Sequence, residues 1–425
     1  MLRISRRLAS IALPGPLAVA AFALALALAL APGPRPATAQ AVPAARPTGP
    51  WDLPALRATP AAAWGQRTGP VREVYYEGAR RDGRPTRVFG YYARPATGDG
   101  PFPAMLLVHG GGGKAFARWA RLWADRGYVA LAMDTAGRGP DGARLPDGGP
   151  DQDDETKFRD LGDGEADRAW TYHAVAAVVR GHSLLAGREE VDPGRIGVTG
   201  ISWGGYLTCL VAAVDDRVKV AVPVYGCGFL QDDSYWRPRF EAMGPERRRR
   251  WVGRFDPSSY LGNVSCPILF VNGTNDFAYP LDSYRKTYEA VPGFTDLANP
   301  DRLCVTLRMP HGHEQGWAPA EIGRFVDSVL IGGEPLAKLA PPTVTAGHVR
   351  SEVVAKSPLA RAELLYAVDA GPWPAREWKA APAALVGGAV EADLPAVRPL
   401  VVFLNVVDRQ GAVSSSPHAL VPATR

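Results

Sequence analysis

A mostly parallel α/β sheet with an antiparallel start, followed by a small antiparallel β-domain, is the fold this sequence predicts. Three observations predict it. Beginning with MLLVHG at residues 105–110, continuous apolar runs of strand length alternate with helix-compatible stretches. Ahead of them, VREVYYEG and TRVFGYYARP alternate apolar and polar residues, as half-covered antiparallel strands do. After Gly332-Gly333 the helical stretches stop and strand patterns alone remain.

The elements follow in order. MLRISRR is basic, Leu17 to Ala31 is apolar throughout, and Ala37-Thr38-Ala39 has the small-residue spacing of a cleavage site, so residues 1–39 read as a secretory signal peptide. The apolar run is short of the ~20 residues that a membrane span needs. Arg6-Arg7 would suit a twin-arginine signal, but Leu8-Ala9-Ser10 match one poorly. The expected location is therefore secreted or periplasmic, with no integral membrane span in the mature chain. Removing residues 1–39 takes away Arg3, Arg6, Arg7 and Arg35 and no acid, which lowers the net charge from +5 to +1. The basic balance thus belongs to the leader and argues for no nucleic-acid partner.

Residues 40–70 are rich in Pro, Ala and Gly and read as a linker or N-terminal arm. A catalytic domain is expected over 71–333. Its strands are the two alternating segments, then MLLVHG, YVALAMD, RIGVTG, VKVAVPVYG, PILFVNG and LCVTLRMP. Helices are expected at 114–126, 167–188, 203–214, 281–291 and 318–331. A long segment at about 228–262, rich in aromatics and arginines, interrupts the alternation and is placed as a cap-like insert. Its Trp236, Phe240, Trp251 and Phe255 are expected to pack the insert down, and Arg247 to Arg250 to form a solvated helix face. Residues 341–425 carry the strands TVTAGHVRSEVVA, AELLYAVDA, VEADLP and PLVVFLNVVDRQG, a pattern that suits a β-sandwich of immunoglobulin or fibronectin III type. Four cysteines, Cys209, Cys227, Cys266 and Cys304, form no CxxC pair and no metal-ligand spacing, leaving one disulfide and free buried thiols both open.

The chemistry centres on Gly200-Ile201-Ser202-Trp203-Gly204. This G-x-S-x-G sits between the strand RIGVTG and a helix-compatible run, the setting in which a sharp turn lifts a serine hydroxyl out of a sheet. Such a turn leaves no room for flanking side chains, which calls for glycine. A serine hydroxyl needs a base to take its proton and a carboxylate to hold that base. Asp276, just past the strand PILFVNG, is the expected acid; Asn275 is not ionisable, and Asp282 falls at an expected helix start. After the last strand come His311-Gly312-His313-Glu314. His313 is preferred as the base because a preceding glycine permits a tight turn, with His311 as the alternative. His109 precedes the serine and reads as a loop-shaping residue; the loop Gly110 to Gly113 behind it offers N–H groups to an oxyanion. The oxyanion hole is expected at the Trp203 N–H and that of Gly111 or Gly112. His173, His182, His348 and His418 have no partners in the pattern. A phosphate-cradle reading of the glycine loop fails because no GKS or GKT follows.

Over residues 71–333, the motifs HGGGG, GISWGG, VNGTND and MPHGHE make the chain resemble the α/β-hydrolase superfamily, in its dienelactone hydrolase, acetylxylan esterase and prolyl-oligopeptidase-like branch. The resemblance implies an α/β-hydrolase fold and a serine esterase or peptidase mechanism with no metal and no organic cofactor. It implies the triad roles for Ser202, Asp276 and His313. The sequence departs from prolyl oligopeptidases in having no room for a propeller ahead of the catalytic domain. The leading expectation is an exported carboxylic-ester hydrolase acting on a small-molecule or carbohydrate ester, with deacetylation of carbohydrate as the specific form. A peptidase is the runner-up, and an inactive hydrolase fold serving as a surface binding protein is the reading from another class. Oligomeric state is not legible.

Overall fold

A computed structural model of the chain describes residues 47–423 apart from 346, and these fall within one compact unit. The expected signal peptide and residues 40–46 of the arm lie outside the described residues. Among the described residues, no helix is long and apolar enough to cross a membrane.

The larger sheet has nine strands: β1 (Ala62–Thr68), β2 (Val71–Glu77), β3 (Arg87–Ala93), β4 (Phe102–Val108), β5 (Val129–Met133), β6 (Val191–Ile201), β7 (Val220–Val224), β8 (Leu269–Gly273) and β9 (Arg302–Thr306). Their spatial order is β1-β2-β3-β5-β4-β6-β7-β8-β9. The first three pair antiparallel and β3 meets β5 antiparallel. From β5 to the far edge every pairing is parallel. This is the α/β-hydrolase arrangement expected. β5, β7 and β8 are buried at every position, as strands covered on both faces must be. The covering helices are Ala117–Asp125, Trp170–Ala186, Trp203–Val214, Leu281–Glu289 and Ala320–Leu330.

Two departures lie at the N-terminal edge and in the insert. The supposed arm contains β1, and Trp51, Leu53 and Leu56 ahead of it are buried in the main core. β1 is an exposed edge strand, so it carries no apolar alternation to read. The insert forms two helices, Arg237–Ala242 and Pro245–Phe255. Trp236, Phe240, Trp251 and Phe255 are all buried in the core, as expected. The arginine run is not simply solvated: Arg247 donates to the Phe158 carbonyl, Arg250 pairs with Asp160 at 2.9 Å, and the following Arg254 pairs with Asp163. These arginines clamp the insert onto the loop 158–163.

The C-terminal strands make a separate antiparallel sheet that fits a β-sandwich, starting at β10 (Lys338–Leu339). The segment expected as one strand is a hairpin, β11 (Thr343–Thr345) and β12 (His348–Val354), which pair with each other. β13 (Leu359–Val368), β14 (Lys379–Val386), β15 (Ala389–Asp393), β16 (Leu400–Asp408), β17 (Val413–Ser415) and β18 (Ala419–Val421) complete it. β16 is buried on both faces: Leu400, Val402, Leu404 and Val406 join the core of this sheet, while Val401 and Phe403 join the core of the larger one. The edge of β9 is closed by side chains of the second sheet. The Val305 N–H donates to Ser415 Oγ at 2.8 Å, and Asn405 Nδ2 donates to the Val305 carbonyl at 3.0 Å. All four cysteines are free and buried, and burial pushes each thiol up from its ordinary value.

Candidate active site

Four loops meet at the C-terminal edge of the parallel strands, following β4, β6, β8 and β9. The sharpest turn belongs to β6. Ser202 has φ 59° and ψ −119°, a backbone region that costs energy for any residue but glycine. Its N–H donates to the Val224 carbonyl at 2.8 Å, and its carbonyl accepts from the Tyr206 N–H at 3.0 Å, which locks the turn to β7 on one side and to the helix Trp203–Val214 on the other. The flanking glycines are steric necessities. A Cβ on Gly200 would lie 2.1 Å from the Gly204 carbonyl oxygen, and one on Gly204 would lie 2.0 Å from that of Val108.

Ser202 Oγ is 2.9 Å from His311 Nε2, and His311 Nδ1 is 2.6 Å from Asp276 Oδ2. The other carboxylate oxygen of Asp276 accepts the N–H groups of Ala278 and Tyr279 at 2.9 and 2.8 Å. A carboxylate held by all these donors is fixed in position. Asn275, the neighbour set aside, donates instead to the carbonyls of Pro374 and Arg376, both at 2.9 Å, and so ties the acid-bearing loop to the second sheet. Asp282 lies in the first turn of its helix and pairs with Lys286 at 2.9 Å.

The imidazole against Ser202 is thus that of His311, and the preference for His313 is corrected. Gly312 has φ −172°, extended backbone that any residue adopts, so it makes no tight turn. His313 opens the helix His313–Trp317, and its ring faces the glycine loop, where Nε2 accepts the Gly110 N–H at 3.0 Å. It packs on Phe116 with ring centroids 4.9 Å apart. Burial first, and then the neighbouring His109 and His311, bring its pKa down to about 4, so the ring is neutral and can accept. His109 is buried and its Nε2 accepts the Thr135 N–H at 2.9 Å, a loop-shaping contact.

The glycine loop turns on a bond from the Gly113 N–H to the Gly110 carbonyl at 3.1 Å, with Gly112 at φ 69°. Gly111 stands over the edge of the Trp203 ring, where a Cβ would meet Cδ1 at 3.1 Å. Trp203 is the first residue of its helix, so its N–H has no acceptor within the helix.

Aromatic residues that the sequence does not single out surround the imidazole. Tyr225, at φ 62°, stacks on His311 with centroids 4.4 Å apart and donates to the Pro310 carbonyl at 2.6 Å. Phe277 lies with its centroid 4.9 Å from that of His311. Phe277 is 54% exposed and Tyr235, from the insert, 62% exposed. Their rings meet edge to face at 6.0 Å, and the Tyr235 N–H donates to the Ala278 carbonyl at 3.1 Å, joining the two loops. Deeper in, Lys157 is buried with its ammonium 4.5 Å from the Trp203 ring centroid and 3.0 Å from Asp154. Among the described residues, no group of three or more His, Cys, Asp or Glu is placed to hold a metal ion.

A family model described as acetyl xylan esterase (AXE1) matches residues 64–235, a stretch that includes Ser202 and ends before Asp276. Acetyl esterase Axe7A of Xylanibacter ruminicola is 24% identical over 206 residues, covering 45% of this chain and 46% of that protein. The uncharacterized peptidase YuxL of Bacillus subtilis is 25% identical over 243 residues, covering 52% of this chain and 32% of that one. The chain therefore spans less than half the length of these two curated relatives. The crystal structure of acetyl xylan esterase 1 from Thermoanaerobacterium sp. superposes with a TM-score of 0.51 at 18% identity, covering 65% of this chain and 92% of that chain, a likeness of fold.

Proposed function

We propose that this chain, which has the α/β-hydrolase fold, is an exported serine carboxylic-ester hydrolase that works through an acyl-enzyme and removes acetyl groups from carbohydrate. The observation that carries the reading is the continuous relay from Ser202 Oγ to His311 Nε2 at 2.9 Å and from His311 Nδ1 to Asp276 Oδ2 at 2.6 Å. Ser202 Oγ attacks the ester carbonyl while His311 Nε2 takes its proton, and Asp276 holds the imidazole in the tautomer with hydrogen on Nδ1. The oxyanion of the tetrahedral intermediate accepts from the Trp203 N–H and from Gly111 or Gly112. His311 returns the proton to the departing alcohol. Water, deprotonated by the same imidazole, then releases the acid and regenerates Ser202.

The exposed rings of Phe277 and Tyr235 support a sugar as the alcohol. They stand on the His311 side of the site, where the leaving alcohol must collect its proton, and flat aromatic faces suit the apolar face of a pyranose. The acetyl xylan esterase family match supports the same substrate class, and the leader-like residues 1–39 support export.

Two measurements test the reading. A fluorophosphonate probe is expected to label the wild-type chain and to leave Ser202→Ala unlabelled. A panel of acetylated sugars, simple aryl esters and peptides is expected to show the highest kcat/KM for acetylated sugars. Labelling that survives in Ser202→Ala would remove the serine mechanism, and faster turnover of peptides would replace the esterase with a peptidase.

A further inference from the structure

Three residues past Asp276 stands Tyr279, a group the proposed cycle leaves unused. The acid fixes its backbone, since Asp276 Oδ1 accepts the Tyr279 N–H at 2.8 Å, and its carbonyl accepts from Asn272 Nδ2 at 3.0 Å. Its ring is fully buried. It lies nearly parallel to the His311 ring, with centroids 6.4 Å apart and planes 8° apart, edge-on to Trp203 at 6.4 Å, and against Trp236 at 5.4 Å. Ser202 precedes Trp203 in the chain and is hydrogen-bonded to His311, so the phenol is wedged between both neighbours of the serine.

Its hydroxyl makes no hydrogen bond of good geometry in the resting site, and the Ser202 side chain lies within its reach. Several other buried tyrosines direct theirs to backbone carbonyls, Tyr76 to Ala177 at 2.9 Å, Tyr225 to Pro310 at 2.6 Å and Tyr284 to Val271 at 2.8 Å. The one other buried phenol without such a bond among the described residues, Tyr288, lies away from the serine against Phe270 and Phe294. Leaving a buried O–H unpaired costs ~1–3 kcal/mol, a penalty that natural structures keep mainly where the group has another use. Burial, the largest influence, holds this hydroxyl protonated far above its ordinary value, and hydrogen bonding with the Ser202 side chain pulls the other way. The phenol is therefore a permanent donor beside the serine.

We propose that the Tyr279 hydroxyl is a catalytic donor that hydrogen-bonds the substrate's carbonyl oxygen as it becomes an oxyanion on Ser202. The assignment rests on the serine-hydrolase reading above. It adds a side-chain donor to the backbone N–H groups of the elbow and glycine loop, and it gives the O–H a charged acceptor in the tetrahedral adduct alone. No bond to Tyr279 forms or breaks, and its proton stays on the phenol throughout.

Tyr279→Phe in the full chain removes the oxygen and keeps the ring. Loss of one oxyanion donor lowers kcat by ~10²–10³-fold. The expected result with 4-nitrophenyl acetate is a fall of about that size in kcat, with KM within about twofold, a Tm equal to or above that of wild type and an unchanged pH profile. Fluorophosphonate labelling should slow in parallel, because the phosphoryl oxygen of the adduct takes the oxyanion's place. A variant with kcat and labelling rate within about twofold of wild type overturns the assignment, as does a fall in kcat matched by a large drop in Tm. Failure of the underlying reading looks different. There the wild-type chain itself resists the probe, or Ser202→Ala still reacts, whereas failure of the tyrosine assignment alone leaves wild type and Tyr279→Phe labelled at equal rates.

Discussion

Two imidazoles two residues apart stand in different settings, and the difference lies in what each nitrogen faces. His311 bridges a hydroxyl and a carboxylate, and His313 accepts a backbone N–H from the glycine loop. Substitution should separate them. His311→Ala is expected to lower kcat/KM by the ~10²–10⁴-fold that a general base supplies. His313→Ala should cost about tenfold, the size of one hydrogen bond, because it loosens the Gly110 end of the loop and removes no proton acceptor from the reaction. Steady-state kinetics on one ester checks the order, and a larger loss in His313→Ala would reverse the assignment. The identity of the base is not legible in the sequence because the residues between β9 and His311 follow no periodic pattern, and the left-handed Arg308 at φ 52° that steers them carries no glycine to announce it. The elbow is legible for the converse reason. Contacts of 2.0 and 2.1 Å leave Gly204 and Gly200 no substitute, so Gly204→Ala is expected to yield little folded protein in a thermal melt.

At the scale of elements, the loops rather than the strands give the site its character. Tyr235 comes from the insert and Phe277 from the loop after β8, and a backbone hydrogen bond holds the two together at the mouth. If their faces carry the sugar, Phe277→Ala and Tyr235→Ala should each raise KM for an acetylated oligosaccharide about three- to tenfold, the size of an aromatic contact of ~0.5–1.5 kcal/mol. They should leave kcat and the rate on 4-nitrophenyl acetate within about twofold, since neither ring bonds to a reacting atom and Phe277 only packs on the His311 ring. Comparing the two substrates in each variant checks this, and equal losses on both would make the rings structural. The parallel strands can be read from the sequence because burial on both faces leaves continuous apolar runs such as Val129–Met133. β1 and β14 cannot: β1 is an exposed edge, and β14, KAAPAALV, is rich in alanine, interrupted by proline and largely exposed. The insert helices hold by arginine contacts to a distant loop, which no local pattern records.

Across the whole molecule, acid and truncation probe different parts of the same packing. Burial depresses His173, His182 and His313 from 6.5 to about 4 and His418 to about 3. The unfolded chain therefore takes up these protons first as pH falls, so their contribution is intact above about 6.5 and is lost on the way down to about 4, at ~1.4 kcal/mol per unit of depression. Asp301, raised to about 6, opposes this between about 6 and 3.8, but one carboxyl does not outweigh four imidazoles. Denaturant titrations from pH 7 to pH 4 should show falling stability, and a flat profile would mean that the imidazoles are solvated. Truncation asks whether the second sheet is an appendage. Deleting residues 341–425 would uncover the core faces around Trp378, Val401 and Phe403, reopen the edge of β9 at Val305, and release Asn275 from the loop at Pro374 and Arg376. Uncovering that apolar surface works against the marginal stability of a domain, ~5–15 kcal/mol. The truncated chain is expected to bind ANS, lose its near-UV circular dichroism and resist fluorophosphonate. Asn275→Ala separates support of the acid from support of the fold: it should lower kcat severalfold while the melt stays within a few degrees of wild type. A truncated chain that melts cooperatively and labels at the wild-type rate would show that the larger sheet needs no partner to hold Asp276 against His311.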